Sequence, residues 1–231
     1  MLNAVTIGYN SGNLLYDSVM SFMPDEVYIA LHSTHQKTRY SATRIANAIV
    51  HTTVVDWQVN RGVSKSWNDG IRFFMEKYPN DGVLLLNDDI ICRNDSLDMV
   101  MRAIEDHSAN PVVGAIKFYG HNDRLSQKVD HGFACVYLTN RCIRAVGDFD
   151  ENFTPAYYED IDFAYRMSLM GLREVLVDGV DIVHAGSSTI FNDPKLQSDI
   201  YSFHFVRNER YYAAKWGGKR GEEMYSTPFN R

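Results

Sequence analysis

The sequence predicts an α/β fold around a central, mostly parallel sheet, and two observations carry that reading. Short apolar runs, Ala4 to Ile7, Val27 to Leu31, Val54-Val55 and Gly82 to Leu86, alternate with stretches whose apolar residues recur at helical spacing. The chain has 231 residues, 45% of them hydrophobic, with 15 Gly and 6 Pro, an ordinary globular balance that suits one large core. In such a sheet ligands sit beyond the carboxyl ends of the strands, so the residues following each apolar run are the first to read for function.

The first strand stops at Gly8-Tyr9-Asn10-Ser11-Gly12, small and turn-forming residues that suit either close backbone approach to a ligand or a plain strand-to-helix turn. Leu14 to Phe22 reads as a helix ended by Pro24, and Val27 to Leu31 as a second buried strand. A polar connection through Thr38 precedes a helix from Ser41 to Ile49, then the short strand at Val54-Val55. Ser64 or Ser66 caps a helix whose buried face is Trp67, Ile71, Phe74 and Met75, so Trp67 is read as core. Arg61 and Lys65 suit a diphosphate or plain solvent. Gly82 to Leu86 is the clearest central strand and delivers Asn87-Asp88-Asp89 at its end. Carboxylates at a core edge must be solvated, paired or metal-bound, and Mg²⁺ or Mn²⁺ prefers such oxygen ligands; a helix-capping turn is the alternative.

Asp95 to Ile104 reads as a surface helix, Pro111 to Phe118 as a strand, Tyr119 to Asp130 as a polar loop and Gly132 to Leu138 as a strand again. Arg141 to Val146 and Tyr158 to Met170 are predicted helices; Glu159 and Asp160 stand at the start of the second, where the dipole favours acids. Val175 to Val177 and Val180 to Val183 are short strands that carry His184 toward the same end. The tail from Leu196 to Trp216 is aromatic-rich, and its rings suit packing on the domain or a homodimer surface better than nucleic-acid stacking.

A formal net charge of -6 gives no global case for a nucleic-acid partner. Three cysteines without paired metal-ligand spacing point to reduced thiols in a cytoplasmic protein, and no apolar run approaches the length of a membrane span.

Taken in order, Thr6-Ile7-Gly8-Tyr9-Asn10, Asn60-Arg61-Gly62 with Asn68-Asp69-Gly70, Leu85-Leu86-Asn87-Asp88-Asp89, Gly147-Asp148-Phe149-Asp150-Glu151-Asn152-Phe153, Tyr158-Glu159-Asp160-Ile161-Asp162 and Val183-His184-Ala185-Gly186-Ser187-Ser188 resemble the family 2 glycosyltransferases, especially the rhamnosyltransferase-like bacterial and phage branch. The resemblance implies a GT-A nucleotide-sugar-binding domain over residues 1–190, followed by an aromatic helical extension over 191–231. It implies Tyr9 and Asn10 in the nucleotide pocket, and Asn60, Gly62, Lys65 and Asn68 on the donor. Asn87, Asp88 and Asp89 fall on the metal motif, with Asp89 the first metal ligand and Asp88 the second; His184 approaches the metal or the diphosphate. Asp160 falls on the catalytic base with Glu159 in support, while Asp162 and Arg166 fix the helix. The chain departs from the pattern after its second strand, where Leu31-His32-Ser33-Thr34-His35 replaces the usual acids; Asp56 is then the candidate nucleoside contact.

The activity so implied is metal-dependent, inverting transfer of one sugar from a nucleoside-diphosphate sugar to an acceptor hydroxyl. A glycan or lipid-linked acceptor is the common choice of this branch, and a modified base in phage DNA is an alternative that the acidic charge does not favour. Two other readings stay open: a catalytically silent nucleotide-sugar-binding protein, and a sugar-phosphate nucleotidyltransferase, for which the opening turn lacks a phosphate-cradling glycine loop.

Overall fold

The four apolar runs of the first half become four neighbouring parallel strands. In a computed structural model that describes residues 1–94, 96–122, 127–130, 132–184 and 200–231, β1 (Asn3–Gly8), β2 (Glu26–Leu31), β3 (Thr52–Asp56) and β4 (Val83–Leu86) lie in the order β3-β2-β1-β4. Val5 stands opposite Tyr28 on one side and Leu85 on the other. Because side chains alternate along a strand, Ala4, Ile29 and Leu84 face one layer of helices and Val5, Tyr28 and Leu85 the other. The first layer contains α1 (Leu14–Phe22) and α2 (Gln36–Ala48), which bring Leu15, Val19, Phe22 and Ile45; the second contains α3 (Val63–Lys77), which brings Trp67, Ile71 and Phe74. Each such apolar side chain contributes about 1.5–3 kcal/mol by burial. Trp67 is core, as its spacing predicts.

Gly70 sets how closely α3 lies on the sheet. A Cβ there would stand 2.5 Å from a Val5 methyl, so any larger residue lifts the helix off β1. The start of α3 differs from the prediction: Gly62, at φ 84°, is the N-cap, and neither serine caps the helix. Ser64 donates to the Phe153 carbonyl (3.1 Å) and Ser66 to the Gly62 carbonyl (2.8 Å). Likewise α2 begins at Gln36, inside the predicted connection.

The second half corrects the expectation of a mostly parallel sheet: the ten strands among the described residues form a mixed one. Its elements are β5 (Ile90–Cys92), α4 (Ser96–Ser108), β6 (Val113–Asn122), β7 (Gln127–Asp130), a 3-10 turn (Gly132–Ala134), β8 (Cys135–Leu138), α5 (Asn140–Val146), α6 (Glu159–Leu169), β9 (Arg173–Val177) and β10 (Ile182–His184). β8 runs antiparallel between β4 and β6, while β9 and β10 pair with β6 in parallel. The cause is connection length: β8 begins 13 residues after β6 ends, the described residues between them are β7 and the 3-10 turn, and a parallel return requires a crossover. The predicted loop at Tyr119 to Asp130 is in its described parts a hairpin, with Tyr119 opposite Asp130 and Asn122 opposite Gln127.

β6 links the two ends of this sheet. Ala115–Lys117 sits between β8 and β9, and the far end, His121–Asn122, sits between β7 and β10. β10 in turn pairs antiparallel with β5, placing His184 opposite Ile90. After a π-helical stretch (Ile200–Phe205), α7 (Val206–Trp216) packs Tyr212 and Trp216 with Phe153 and Tyr158 in a third apolar cluster. The predicted domain boundary after residue 190, Leu196 at the start of the tail, and Gly186 and Ser188 of the last motif lie outside the described residues. Cys92, Cys135 and Cys142 are buried free thiols, and no described helix is long and apolar enough to cross a membrane.

Candidate active site

The carboxyl ends of β1, β4 and β10 converge. Asp88 turns toward the first strand, where its Oδ2 accepts from the Tyr9 amide (3.2 Å). Asp89, only 4% exposed, turns the other way, and its Oδ1 lies 3.2 Å from His184 Nε2. The β5–β10 pairing makes that contact, since it sets His184 beside the residue that follows Asp89. Burial, and then the neighbouring Asp89 charge, push the Asp88 carboxyl up to about 7. Asn10, at φ 56°, accepts from the Ser33 hydroxyl (2.7 Å), which ties the ends of β1 and β2 together. His32 is buried against Ser66 (2.8 Å); burial, then the Arg61 charge, push its imidazole down to about 4.

The other donor-side candidates shape the scaffold. Asn60 Oδ1 accepts from the Gly62 amide (2.9 Å) and forms the turn into α3. Asn68 is buried and clasps Phe149 at both its amide (2.8 Å) and its carbonyl (2.9 Å), so its polar atoms are spent on the loop before α6. Lys65 pairs with Glu151 (3.2 Å), and Arg61 lies over the Trp57 ring and near Asp69 (3.4 Å). Both Asp56 oxygens accept from Arg39 (3.0 and 2.5 Å), and that bond lowers the carboxyl's pKa. The strand-end residues Tyr9, Asn10, Asn87, Asp88, Asp89 and His184 gather; Asn68 and Asp56 are instead committed to protein partners.

Asp160 is aimed by a strained turn. Tyr157 and Tyr158 both have positive φ (75° and 74°), a conformation that costs side-chain-bearing residues about 1–3 kcal/mol each. Asn208 of α7 holds that turn from behind: fully buried, it donates through Nδ2 to the carbonyls of Ala156 (3.0 Å) and Tyr157 (2.9 Å). Replacing Asn208 by Ala is expected to cost about 1–3 kcal/mol, since two partly buried carbonyls lose their donor; urea denaturation measures it, and a loss under about 0.5 kcal/mol would mean the turn holds itself.

At the start of α6, Asp160 Oδ1 accepts from the Ile161 amide (2.8 Å). Burial raises the Asp160 carboxyl above its ordinary value, against the lowering effect of the backbone amides and of Arg220 and Lys117. Glu159 is buried and raised further, by burial first and the Asp160 charge second. Asp160 also lines a cavity of about 470 Å³ together with Lys117, Glu174, Tyr165, Arg220 and Glu223. The 3-10 turn joins this cavity to the strand ends: a Cβ on Gly132 would lie 3.6 Å from Asp160 Oδ2, and the Ala134 carbonyl accepts from the Asn87 amide (2.8 Å). Sequence reasoning names Asp160 as a candidate but not Asn208, Lys117 or Arg220, which the fold brings to its turn and its cavity. A polar residue on a helix or strand carries no periodic signal that separates a buried role from a solvated one.

Among the described residues no group of three or more His, Cys, Asp or Glu side chains is placed to hold a metal ion. The donor set still fits a hard divalent cation of the kind that takes one or two protein ligands and fills its shell with phosphate oxygens and water, because Asp89 and His184 meet at the strand ends.

No protein-family model matches the chain, and no curated protein matches it. Its fold is similar to that of S. aureus TarS, with a TM-score of 0.62 at 14% identity over 94% of this chain and 46% of that one. The chain thus spans about half the length of that protein. It also matches TarS 1-349 (TM-score 0.61, 13% identity, 94% and 74% of the two chains). The complex of TarS 1-349 with UDP-GlcNAc matches with a TM-score of 0.61 at 13% identity over 84% and 61%. At these identities the likeness is one of fold.

Proposed function

We propose that the chain is an inverting glycosyltransferase of the GT-A type, with residues 1–190 as its catalytic domain. The observation that carries this is the carboxylate of Asp160 in a cavity joined by one short turn to the strand ends where Asp88, Asp89 and His184 gather. The TarS fold, seen with UDP-GlcNAc in one structure, supports a nucleoside-diphosphate sugar as donor. Three buried free thiols support a cytoplasmic setting.

In this reading the donor's diphosphate lies at the ends of β1 and β4, under the turn held by Tyr9 and Asn10. Asp89 and His184 would hold Mn²⁺ or Mg²⁺, with Asp88 beside them; bound there, the ion supplies positive charge to the diphosphate. The acceptor hydroxyl enters from the cavity side. Its oxygen forms the new bond to the anomeric carbon as the bond from that carbon to the diphosphate oxygen breaks, and its proton passes to Asp160. Attack opposite the leaving group inverts the anomeric centre. One carboxylate is enough, since a nucleoside diphosphate leaves without the second carboxyl that glycosidases use as acid.

The test is release of nucleoside diphosphate from UDP-, dTDP- and GDP-sugars with and without Mn²⁺. One donor is expected to be turned over, and Asp89→Asn is expected to slow release by about a hundredfold or more through loss of a ligand. Donor that neither binds nor turns over would overturn the reading, and pyrophosphate release in place of nucleoside diphosphate would assign a nucleotidyltransferase.

A further inference from the structure

We infer that the cavity beside Asp160 is an acceptor subsite built for a neutral sugar, with the C-terminal tail as one wall, and that it selects against phosphorylated acceptors. This inference rests on the glycosyltransferase reading and adds to it the chemical class of the acceptor.

The cavity's charge balance carries the argument. Four carboxylates, Asp130, Asp160, Glu174 and Glu223, face it against two cations, Lys117 and Arg220. Lys117, with a side chain only 10% exposed, is neutralised in place by Asp130 Oδ2 and Glu174 Oε2, each 2.7 Å from its Nζ. The second cation, Arg220, is an exposed residue. A phosphate needs cationic or amide donors, and the lining offers it more carboxylates than cations, so placing a phosphate there is repulsive. Sugar hydroxyls have the opposite requirement: each is a donor, and a carboxylate is its strongest acceptor. The half-buried Tyr165 ring supplies an apolar face for the C–H side of a pyranose, while the buried rings of Tyr212 and Phe133 back the wall from the core. About 470 Å³ lies within the range of small-molecule sites.

The tail is part of this wall. Glu223 is locked by the Tyr212 hydroxyl and by the Gly221 amide (2.9 Å), and Tyr165 donates to the Tyr225 carbonyl (2.8 Å). Arg220 and Glu223, beyond α7, therefore close one side of the cavity.

Saturation-transfer NMR on the full chain tests the inference, with methyl glucoside, methyl galactoside and methyl N-acetylglucosaminide as probes and their phosphate esters as counterparts. At least one neutral glycoside is expected to bind about tenfold or more tightly than its phosphate ester. Ala164→Trp, which fills the cavity, is expected to abolish that binding. Glu174→Gln keeps the shape, so it is expected to weaken neutral binding by about tenfold and narrow the gap to the phosphate ester. Binding of the nucleoside diphosphate, measured in parallel, reports the donor site and the folded state of each variant. If it persists while no neutral glycoside binds, or while phosphate esters bind as well or better, or while glycoside binding survives Ala164→Trp, the acceptor inference fails alone. Absence of nucleoside-diphosphate binding in the native chain would instead sink the glycosyltransferase reading.

Discussion

Asp160→Asn is expected to cut sugar transfer by about two to four orders of magnitude while nucleoside-diphosphate binding stays within about twofold. The substitution is isosteric: the amide oxygen can still accept from Ile161, and the cavity keeps its shape. What is lost is a carboxylate able to take the acceptor proton. Glu159 is no substitute, because burial and the adjacent Asp160 charge hold its carboxyl well above the ordinary range and it does not line the cavity. The pH profile separates this role from a structural one. A base must work deprotonated and burial raises the Asp160 pKa, so if Asp160 is the proposed base, native transfer should rise with pH through a limb above the ordinary aspartate value of about 3.9. The residual rate of the variant should lack that limb. Stability moves the other way, since a carboxyl with a raised folded pKa loses stability for the native state as pH climbs from the unfolded to the folded value. The neutral Asn variant escapes that loss and should be at least as stable at neutral pH. Donor binding that falls as far in Asp160→Asn as in Asp89→Asn would place Asp160 on the donor.

Lys215→Met is expected to cost about 3–5 kcal/mol, a large share of a typical domain's stability. Lys215 Nζ lies 2.7 Å from Asp150 Oδ2 and 2.6 Å from Asp162 Oδ1, and its side chain is 5% exposed. Asp162 is fully buried and also accepts from Trp216 Nε1 (2.8 Å) and Arg166 Nε (2.9 Å). Removing the ammonium leaves two carboxylates facing each other with less compensation than burial demands. Burial, the largest single influence, would raise Asp150, but the Lys215 bond and charge together with the Asn152 hydrogen bonds hold the carboxyl below its ordinary value. A depressed folded pKa gives stability above the unfolded pKa that is lost as pH falls through the folded one. The gap between native and variant urea midpoints should therefore narrow in acid. Lys219→Met, which removes an exposed contact 3.9 Å from Glu209, is the control and should change stability by less than about 0.5 kcal/mol. A Lys215→Met loss of the same size would show that packing alone docks the tail.

The first half of the fold was legible because β1, β2 and β4 are buried on both faces, which forces continuous apolar runs such as Val83 to Leu86. β5 and β7 were not: three residues are too few for a pattern, and Gln127–Asp130 pairs through backbone groups that no side chain advertises. Reading the polar stretch as a loop followed from expecting strands to be apolar. Asp88 and Asp89 were legible as acids at the end of a strand, whereas their opposite orientations depend on Tyr9 and His184, which arrive from elsewhere in the chain. Asn208 was illegible for the same reason. Its importance lies in two carbonyls of a strained turn more than fifty residues earlier.

The pairing of His184 with Ile90 also fixes the order in which the molecule can be made. β1 to β4 can close as soon as they leave the ribosome, since each needs only strands already made, β4 pairing back onto β1. β4 then presents an open edge until β8 exists, and Asp89 waits for β10, across nearly half the chain. Such long-range closure is slow, because loop entropy is spent before any contact repays it. The half-made sheet is thus the species most exposed to mispairing, and chaperone dependence would concentrate in the interval between synthesis of β4 and arrival of β10.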